Sequence, residues 1–311
     1  MELQIEKYTE SHKAVWNDFV KSSKNATFML DRNYMDYHRD RFTDHSLLLF
    51  DKDKIVAIFP ANEKNGSIQS HGGLSYGGLL YTTKLRYSAV LNILKNLCEY
   101  YKNEGFVEIY YKIIPEMYCS YPSAEIQYAL FDMNAELYRR DLSSTIEIQR
   151  RLKPSKGRKW LLARAKKLEI TIEESNDLDP FFQEYNTHLD YKYDTKAVHA
   201  AEEISLLKSR FPKNIKYIQA RDNEGFLGGT ILYFTKEVVH AQYIHFTNRG
   251  KDIGAFDLLM NQLLEENKEQ RYFDFGISTE KEGRYLNEGL INFKESFGAR
   301  ATVCDFYKIT L

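Results

Sequence analysis

The stretch NRGKDIGAFDLLMNQLLEENKEQRYFDFGIST, residues 248–279, contains the features that decide the fold. Apolar residues recur at positions 256, 259, 260, 263 and 264, which is the spacing of one face of an α-helix. The aromatic strand YFDFGIS follows this helix, and the alternating strand VVHAQYIHF precedes the stretch. Three small residues, Gly250, Gly254 and Ala255, stand just before the helix. The order strand, small-residue loop, helix, strand predicts a fold with layers of helices and strands.

The composition predicts a globular protein with a sizeable core. A chain of 311 residues, 43% of them hydrophobic, corresponds to one large domain or to two domains of ordinary size. Its 43 Lys and Arg residues are balanced by 44 Asp and Glu residues, which argues against broad electrostatic binding to nucleic acid or membrane. Abundant aromatic residues and only 6 prolines argue against disorder.

The spacing of the cysteines and histidines bears on disulfides and metal sites, and the N-terminus bears on location. The three cysteines, Cys98, Cys119 and Cys304, are widely spaced and include no Cys-x-x-Cys pair, so we predict neither a disulfide framework nor a zinc site. The eight histidines show no His-x-x-x-His spacing, and no metal site is expected. The N-terminus lacks an apolar signal core, and no apolar run is long enough to span a membrane. We therefore expect a cytoplasmic protein.

The two halves of the chain repeat one order of elements. Each half has a hairpin, then a strand or loop, a helix, a strand, a helix and a final strand. The first hairpin is formed by SLLLF and IVAIFPA, and the second by KYIQARD and GFLGGTILYFT. This repetition predicts a duplicated α+β unit, with domains at 1–150 and 151–311.

The loop before the helix at 255 has two interpretations. The first turn of a helix presents unpaired N–H groups, which attract anions. Gly254 and Ala255 would let a pyrophosphate approach the backbone, and Arg249 would add a charge-assisted contact. In the other interpretation Gly254 only shapes a turn and Arg249 is a solvated surface group. The spacing alone leaves both interpretations open.

The motif RGKDIG in this loop resembles the phosphate loop of the GNAT acyltransferases, Arg/Gln-x-x-Gly-x-Gly/Ala. In that superfamily the loop joins a central strand to a helix and holds the pyrophosphate of acyl-CoA. The resemblance implies that Arg249, Gly250, Gly254 and Ala255 bind the donor. Asp252 departs from the pattern, because it replaces the middle glycine and brings a negative charge close to the expected phosphates.

The C-terminal sequence is similar to the FemAB-like branch of the GNAT superfamily, in which two GNAT-like units are fused. The basic helix Arg158–Lys167 and the motif GGLSYGGL also resemble this branch. The C-terminal elements that carry the resemblance are Phe273–Gly276, Gly289-Leu290 and Phe293-Lys294-x-x-Phe297-Gly298. The resemblance implies tandem GNAT-like domains of the α+β class, each a mixed, mostly antiparallel sheet flanked by helices.

The same resemblance implies an N-acyltransferase. The expected reaction moves an acetyl or other acyl group from acyl-CoA to an amine of an amino sugar or an envelope-glycan precursor. Members that use aminoacyl-tRNA often carry a long coiled-coil arm, and this sequence has no extended heptad run. Two alternatives stay open: aminoacyl-tRNA-dependent peptidyl transfer, and a non-catalytic glycan- or peptide-binding protein on a degenerate transferase fold. Asp252 supports the second of these, and tRNA is a partner only under the first.

Four residues are candidates for catalysis. Acyl transfer needs a base for the amine proton and donors for the oxyanion. Tyr243 and His245 share one face of a strand, and Tyr243 could protonate a leaving thiolate. Asp274 lies between two phenylalanines, so it must be paired or functional. We favour Glu280 as the base because it follows a strand end; solvation in a loop is its alternative.

Five further residues are candidates for substrate binding. His71 and Tyr76 lie in SHGGLSYGGLLY, which could hold the acceptor or be a glycine-rich turn. His199 could cap a helix or face the acceptor. Asn287 and Lys294 share one side of the last predicted helix, and Lys294 is otherwise a surface lysine whose ammonium reaches water.

Overall fold

A computed structural model describes residues 3–193 and 197–311 of the chain. It confirms the α+β class, since its helices accompany strands that pair mostly antiparallel. The strands are β1 (Leu3–Lys7), β2 (Thr43–Asp44), β3 (Leu47–Asp51), β4 (Lys54–Phe59), β5 (Asn62–Lys64), β6 (Ser67–Gln69), β7 (Leu80–Tyr81), β8 (Glu108–Lys112), β9 (Glu136–Glu147), β10 (Thr171–Glu174), β11 (Ile215–Asp222), β12 (Gly225–Phe234), β13 (Val238–Phe246), β14 (Tyr272–Ile277), β15 (Thr279–Glu280), β16 (Tyr285–Leu286) and β17 (Arg300–Thr310).

Two predicted helices are present: the one that begins at residue 255, and the basic one, which lies two residues earlier than Arg158–Lys167. The α-helices are α1 (Lys13–Ser22), α2 (Arg32–Met35), α3 (Tyr87–Asn103), α4 (Glu125–Asp132), α5 (Lys156–Ala165), α6 (Asp179–Tyr193), α7 (Ala201–Arg210), α8 (Asn248–Asp252), α9 (Ala255–Glu266) and α10 (Glu288–Glu295). Short 3₁₀ helices cover Glu10–His12, Phe28–Leu30, Asp36–Arg41, Glu116–Tyr118 and Ile148–Arg150.

The chain divides into two compact units that are not simple halves. Unit 1 contains the residues through Leu142 together with Thr279–Tyr285 and Val303–Leu311, and unit 2 contains Ser143–Ser278 and Leu286–Thr302. These limits differ from the predicted domains 1–150 and 151–311. The physical reason is strand pairing at long sequence separation: β17 pairs antiparallel with β8, from Phe306 opposite Lys112 to Thr310 opposite Glu108. Local periodicity cannot reveal such a pairing.

Unit 1 is built around a buried apolar cluster between its strands and α3. One sheet has the order β1-β3-β4-β7, and its β3–β4 pair is the predicted first hairpin. Other strands of unit 1 pair in the order β17-β8-β6-β5-β2, with β6 and β8 parallel. The residues that α3 buries are Val90, Ile93, Leu94, Leu97 and Tyr101, spaced as one helical face.

Unit 2 has a sheet in the order β10-β11-β12-β13-β14-β9, to which β9 contributes its residues after Leu142. Its neighbours pair antiparallel except β13 and β14, which are parallel. Helix α9 connects these two parallel strands, as a crossover must. The predicted apolar face of α9 is buried in the core of unit 2; it comprises Phe256, Leu259, Met260, Leu263 and Leu264.

The N-terminus of α9 is held against α5. Gly254 caps α9 with a φ of 83°, in the left-handed region that favours glycine. A Cβ atom at Gly254 would lie 2.5 Å from the backbone oxygen of Leu161 in α5. In the first turn of α9, the buried carboxylate of Asp257 is 3.3 Å from the guanidinium of Arg158. Glycine is therefore needed here because two helices approach each other closely.

The segment between β13 and α9, expected to be a loop, contains the short helix α8. Thr247 caps it, because the Thr247 hydroxyl accepts a hydrogen bond of 3.0 Å from the N–H of Gly250.

Among the described residues, no helix combines the length and the apolar character needed to cross a bilayer.

We predict that Gly254→Ala destabilises the protein. The new methyl group would press on the Leu161 carbonyl and would also strain a positive φ, and overpacking of this kind costs about 1–3 kcal/mol. The thermal midpoint of unfolding should therefore fall. Gly157→Ala in α5 is the matched control, because its Cβ would meet only the Ser155 hydroxyl at 3.9 Å. An equal or higher midpoint for Gly254→Ala would contradict the packing account.

Candidate active site

The parallel pair in unit 2 separates after three residue pairs and opens a cavity. Val238, Val239 and His240 of β13 lie opposite Tyr272, Phe273 and Asp274 of β14, and the regular parallel pairing ends there. The register between β14 and β9 also shifts, between Asp274 and Ile277. A cavity of 590 Å³ lies where the strands diverge, lined by 241–246 of β13 and by Phe275 and Ile277. This volume lies within the range of small-molecule sites.

The rest of the cavity wall comes from four helices and from Lys251. Helix α6 contributes Tyr185, His188 and Leu189, which recur at helical spacing. The remaining lining residues are Arg158 and Leu161 of α5, Phe256 and Asp257 of α9, and Leu290, Phe293 and Lys294 of α10. The wall is thus largely apolar with a few charged groups, the usual character of a ligand site.

Asp274 holds the point where the two strands separate. Its carboxylate accepts hydrogen bonds from the Ser143 hydroxyl at 2.6 Å and from the Gly276 N–H at 3.1 Å, and His240 Nδ1 lies 2.9 Å away. The side chain is buried, so these partners offset the cost of removing a carboxylate from water. Asp274 does not line the cavity. Its geometry supports the paired, structural alternative stated for it above.

Lys294 brings a buried ammonium group to the cavity. It is only 4% exposed, and its Nζ donates to the carbonyl oxygens of Gly276 at 2.8 Å and Ile277 at 2.7 Å. An ammonium has three N–H donors, so one remains beyond these two bonds. Burial lowers the pKa of Lys294 to about 8, against the opposing effect of Asp274. Lys294 is therefore not a surface lysine, and at neutral pH most of it is still charged.

His245 provides a neutral imidazole at the cavity. Burial is the main cause that lowers its pKa to about 4, and Lys251 and His188 add to this effect. Its Nε2 has no hydrogen-bond partner among the described residues. The rings of Tyr185 and His188 lie against it, at centroid distances of 5.8 and 5.4 Å. A neutral imidazole with an unused nitrogen can accept a proton.

Tyr243 also lines the cavity, and His199 fixes its hydroxyl. The Tyr243 oxygen lies 2.6 Å from His199 Nδ1 and accepts a longer bond of 3.3 Å from the His199 N–H. Burial raises the pKa of Tyr243 to about 12, so the phenol stays protonated. His199 precedes α7 and does not line the cavity; its contacts make it a residue that positions Tyr243.

A β-bulge shapes the wall formed by β13. Ile231 of β12 lies opposite Tyr243, but the next residue, Leu232, lies opposite Ala241, so Gln242 is the extra residue. A bulged residue leaves the regular ladder, which frees its backbone groups for another partner. Gln242 lines the cavity. A backbone N–H at such a place is a possible donor to a developing negative charge.

The residues predicted to bind phosphate have other partners. Arg249 pairs with Asp222 and, at 3.3 Å, with Glu224, and it does not line the cavity. A Cβ at Gly250 would collide with the backbone oxygen of Leu227, so this glycine is also explained by packing. Ala255 begins α9 and is buried, beside Gly254 and α5. Phosphate binding by this loop stays a prediction, and packing alone accounts for its small residues.

Lys251 is the cation of this loop that does line the cavity. It is exposed, and no carboxylate in the described part of the chain pairs with it. Lys251 is not predicted from the sequence, because the phosphate-loop motif RGKDIG identifies Arg249, two residues earlier. The aromatic residues of α6 were also missed, although their spacing along one helical face was visible in the sequence.

Glu280 and Asn287 lie away from the cavity lining. Glu280 is exposed in the short strand β15, which belongs to unit 1. The Asn287 side chain caps α10, accepting a bond of 3.0 Å from the Leu290 N–H. Among the predicted residues, the cavity of unit 2 therefore brings together Tyr243, His245 and Lys294.

Unit 1 contains a parallel pair of its own, but a glycine-rich segment fills the place beyond it. Ile68 and Gln69 of β6 lie opposite Ile109 and Tyr110 of β8. Beyond this pair, the Lys112 ammonium donates to the carbonyl oxygens of His71, Gly72 and Leu74, which belong to the segment SHGGLSYGG. The position of this segment, which fills the place beyond the parallel pair, explains why its sequence is rich in glycine.

The two predicted substrate residues of that segment are placed differently. Tyr76 is buried and donates to the Thr27 hydroxyl at 3.1 Å. His71, with a positive φ of 62°, lines a separate cavity within unit 1. Throughout 3–193 and 197–311, no group of three His, Cys, Asp or Glu side chains is arranged to hold a metal ion.

Comparison with known proteins gives structural matches only. No protein-family model matches the chain, and no curated protein matches it. Among solved structures, FemX is similar over 100% of this chain and 98% of its own, with 11% identity and a TM-score of 0.70. L-PGS from Bacillus licheniformis matches over 98% of this chain and 93% of its own, with 10% identity and a TM-score of 0.62.

A tandem GNAT protein from the clavulanic acid biosynthesis pathway is also similar. It covers 99% of this chain and 98% of its own, with 11% identity and a TM-score of 0.53. At such low identity these matches concern the fold. The predicted FemAB-like fold of tandem GNAT-like domains is therefore confirmed.

Proposed function

We propose that this protein is an N-acyltransferase and that the cavity of unit 2 is its active site. The observation that carries the proposal is the separation of β13 from β14 beside a buried ammonium and a neutral imidazole. A gap between two strands admits an extended donor chain, and the groups at its wall suit acyl transfer. We infer a thioester of coenzyme A, with an acetyl or other short acyl group, as the donor.

The transfer requires attack by a neutral amine on the acyl carbonyl. Negative charge then develops on the carbonyl oxygen, and the remaining N–H of Lys294 and the backbone of Gln242 are suited to stabilise it. The amine must lose a proton, and His245 is the neutral base at the cavity. Tyr243, which stays protonated, can donate its proton to the leaving sulfur. In this proposal His245 takes the place of Glu280 as the favoured base.

The donor end of the cavity carries positive charge. Lys251 is exposed at the wall, whereas Arg158 is already paired with Asp257. Phosphate oxygens of a donor would therefore meet Lys251 in preference to Arg158, and Arg249 does not line the cavity. The acceptor, an amine of an amino sugar or an envelope-glycan precursor, rests on the sequence resemblance.

Aminoacyl-tRNA is a second candidate donor, favoured by the charge around α5. From Arg150 to Lys167 the chain has nine Lys or Arg residues and no Asp or Glu. The exposed side of α5 carries Lys156, Lys159 and Trp160, and the indole is 62% exposed. A basic helix with an exposed aromatic ring suits an RNA backbone and an unstacked base. RNA that co-purifies with the protein and is released by salt would favour this donor.

We predict that Lys294→Met lowers turnover by roughly 10²–10³-fold, the usual effect of removing an oxyanion donor. Methionine fills similar space but offers no N–H. The rate of N-acylation, measured with acetyl-CoA and glucosamine, checks this directly. Lys268→Met, an exposed change in the same unit, is the control and should leave turnover unchanged. Equal turnover in Lys294→Met and the control would remove Lys294 from the mechanism.

We predict that His245→Gln loses about 10²–10⁴-fold in turnover, whereas Glu280→Gln keeps it. Only the imidazole lines the cavity, and Glu280 is exposed in β15. Donor affinity by calorimetry should change little in either variant. The reverse result, with turnover lost only in Glu280→Gln, would restore Glu280 as the base.

The pH dependence of turnover should be bell-shaped at saturating substrates. Activity falls as pH drops, because the acceptor amine becomes protonated and, through about 4, because His245 is protonated as well and cannot accept a proton. Activity also falls as pH rises through about 8, because Lys294 loses its charge. The alkaline fall should be absent from the residual activity of Lys294→Met. An unchanged alkaline fall in that variant would assign it to another group.

A further inference from the structure

The cavity within unit 1 that His71 lines has unsatisfied polar groups. Its volume is 470 Å³, and it lies among α2, the 3₁₀ helix Asp36–Arg41 and the N-terminal strand region. Buried polar atoms are nearly always hydrogen-bonded in folded proteins. Here four lining residues, Tyr8, Arg32, Asp36 and His71, each have a buried polar atom without a hydrogen bond in the described chain. Their concentration in one cavity points to a polar ligand.

Arg32 is the most deeply buried of these groups. It is 1% exposed, and its guanidinium stacks on the Tyr8 and Trp16 rings at 3.4 and 4.3 Å. It pairs with Asp44, and Asp36 Oδ1 lies 3.5 Å from it. Its Nε and Nη2 nevertheless have no hydrogen-bond acceptor among the residues described. Arg32 therefore supplies donors for an acceptor group such as a hydroxyl oxygen.

Tyr8 supplies a further hydrogen-bond donor, and His71 and Asp36 supply two hydrogen-bond acceptors. Burial keeps the Tyr8 phenol protonated, since its pKa is raised to about 12. Burial lowers the pKa of His71 to about 3, so its ring is neutral, and its Nδ1 is unpartnered in the described structure. Asp36 Oδ2 has no hydrogen bond, and the Lys13 ammonium lies 3.7 Å from it. A matching ligand must therefore both donate and accept hydrogen bonds.

The charge of the lining selects a cationic ligand. The two guanidinium groups, Arg32 and Arg39, together with the neighbouring ammonium of Lys13, are outnumbered by four carboxylates, which leaves one carboxylate in excess. Those carboxylates are Glu10, Asp36, Asp40 and Asp44. An ammonium group is attracted to this excess of negative charge, whereas a phosphate or carboxylate is repelled. The Tyr8 and Phe42 rings offer apolar surface for the carbon skeleton of the ligand.

We propose that this cavity of unit 1 binds an amino sugar through its ammonium group and hydroxyls. Asp36 and Asp40 hold the ammonium, and Arg32 and Tyr8 donate to hydroxyl oxygens. Recognition of an amine by unit 1 goes beyond acyl transfer in unit 2, although it agrees with the acceptor class proposed there. Binding needs no donor and no turnover, so it can succeed or fail independently of the proposed reaction.

Methyl NMR of the full chain can test this inference. With ¹³C-methyl methionine, Met35 reports from the cavity wall and Met260 from the core of unit 2. Substituting Met35 by Leu assigns its signal. Titration with D-glucosamine should shift the Met35 signal saturably and leave Met260 unchanged. N-Acetyl-D-glucosamine, which lacks the ammonium, should bind at least about ten-fold more weakly.

Two variants sharpen the test. Asp36→Asn should weaken glucosamine binding roughly ten-fold, because it removes a charged acceptor. Asp40→Asn, at an exposed lining position, should also weaken binding and serves if Asp36→Asn does not fold. Asp53→Asn, in the exposed turn between β3 and β4, is the matched control and should bind normally. The inference is overturned if glucosamine gives no saturable Met35 shift up to roughly 50 mM. Equal binding of both sugars, or normal binding by Asp40→Asn, would also overturn it.

Discussion

The separation of β13 from β14 at Asp274 is the constraint on which the candidate site depends. The two strands are parallel neighbours only as far as His240 and Asp274. The Asp274 carboxylate accepts hydrogen bonds from the Ser143 hydroxyl and from the Gly276 N–H, and the parallel pairing does not continue beyond Asp274. A continuous ladder would leave no gap for a donor. The buried carboxylate thus acts through backbone geometry, and the chemistry belongs to other residues.

The second consequence of this separation is the position of Lys294. The carbonyl oxygens of Gly276 and Ile277, no longer part of a parallel ladder, accept bonds from its ammonium. The charge is therefore fixed in a buried place beside the cavity, where it acts more strongly than in water. Unit 1 shows the contrasting case. There Lys112 also binds backbone oxygens, but of a glycine-rich segment that fills the corresponding place.

Much of the fold was predictable from the sequence, and the site was predictable only in part. Strong helical periodicity predicts α9 and an alternating pattern predicts β13, because local spacing determines such elements. Tyr243 and His245 are candidates because they share one face of an alternating strand, and Lys294 is a candidate because it shares a helix side with Asn287. The return of β17 to β8 and the partners of Arg249 were not predictable, because both depend on contacts between distant residues. Gly254 was correctly placed at a helix start, but the backbone it approaches belongs to α5.

A crystal structure with a non-hydrolysable acetyl-CoA analogue would show directly whether the cavity of unit 2 is the active site. We expect the acyl chain to lie between β13 and β14 and its carbonyl oxygen to lie about 3 Å from the Lys294 ammonium. We also expect the phosphates to approach Lys251 while Arg249 keeps its pairs with Asp222 and Glu224. An analogue bound elsewhere, or an acyl group outside the gap between these strands, would contradict the assignment of this cavity as the active site.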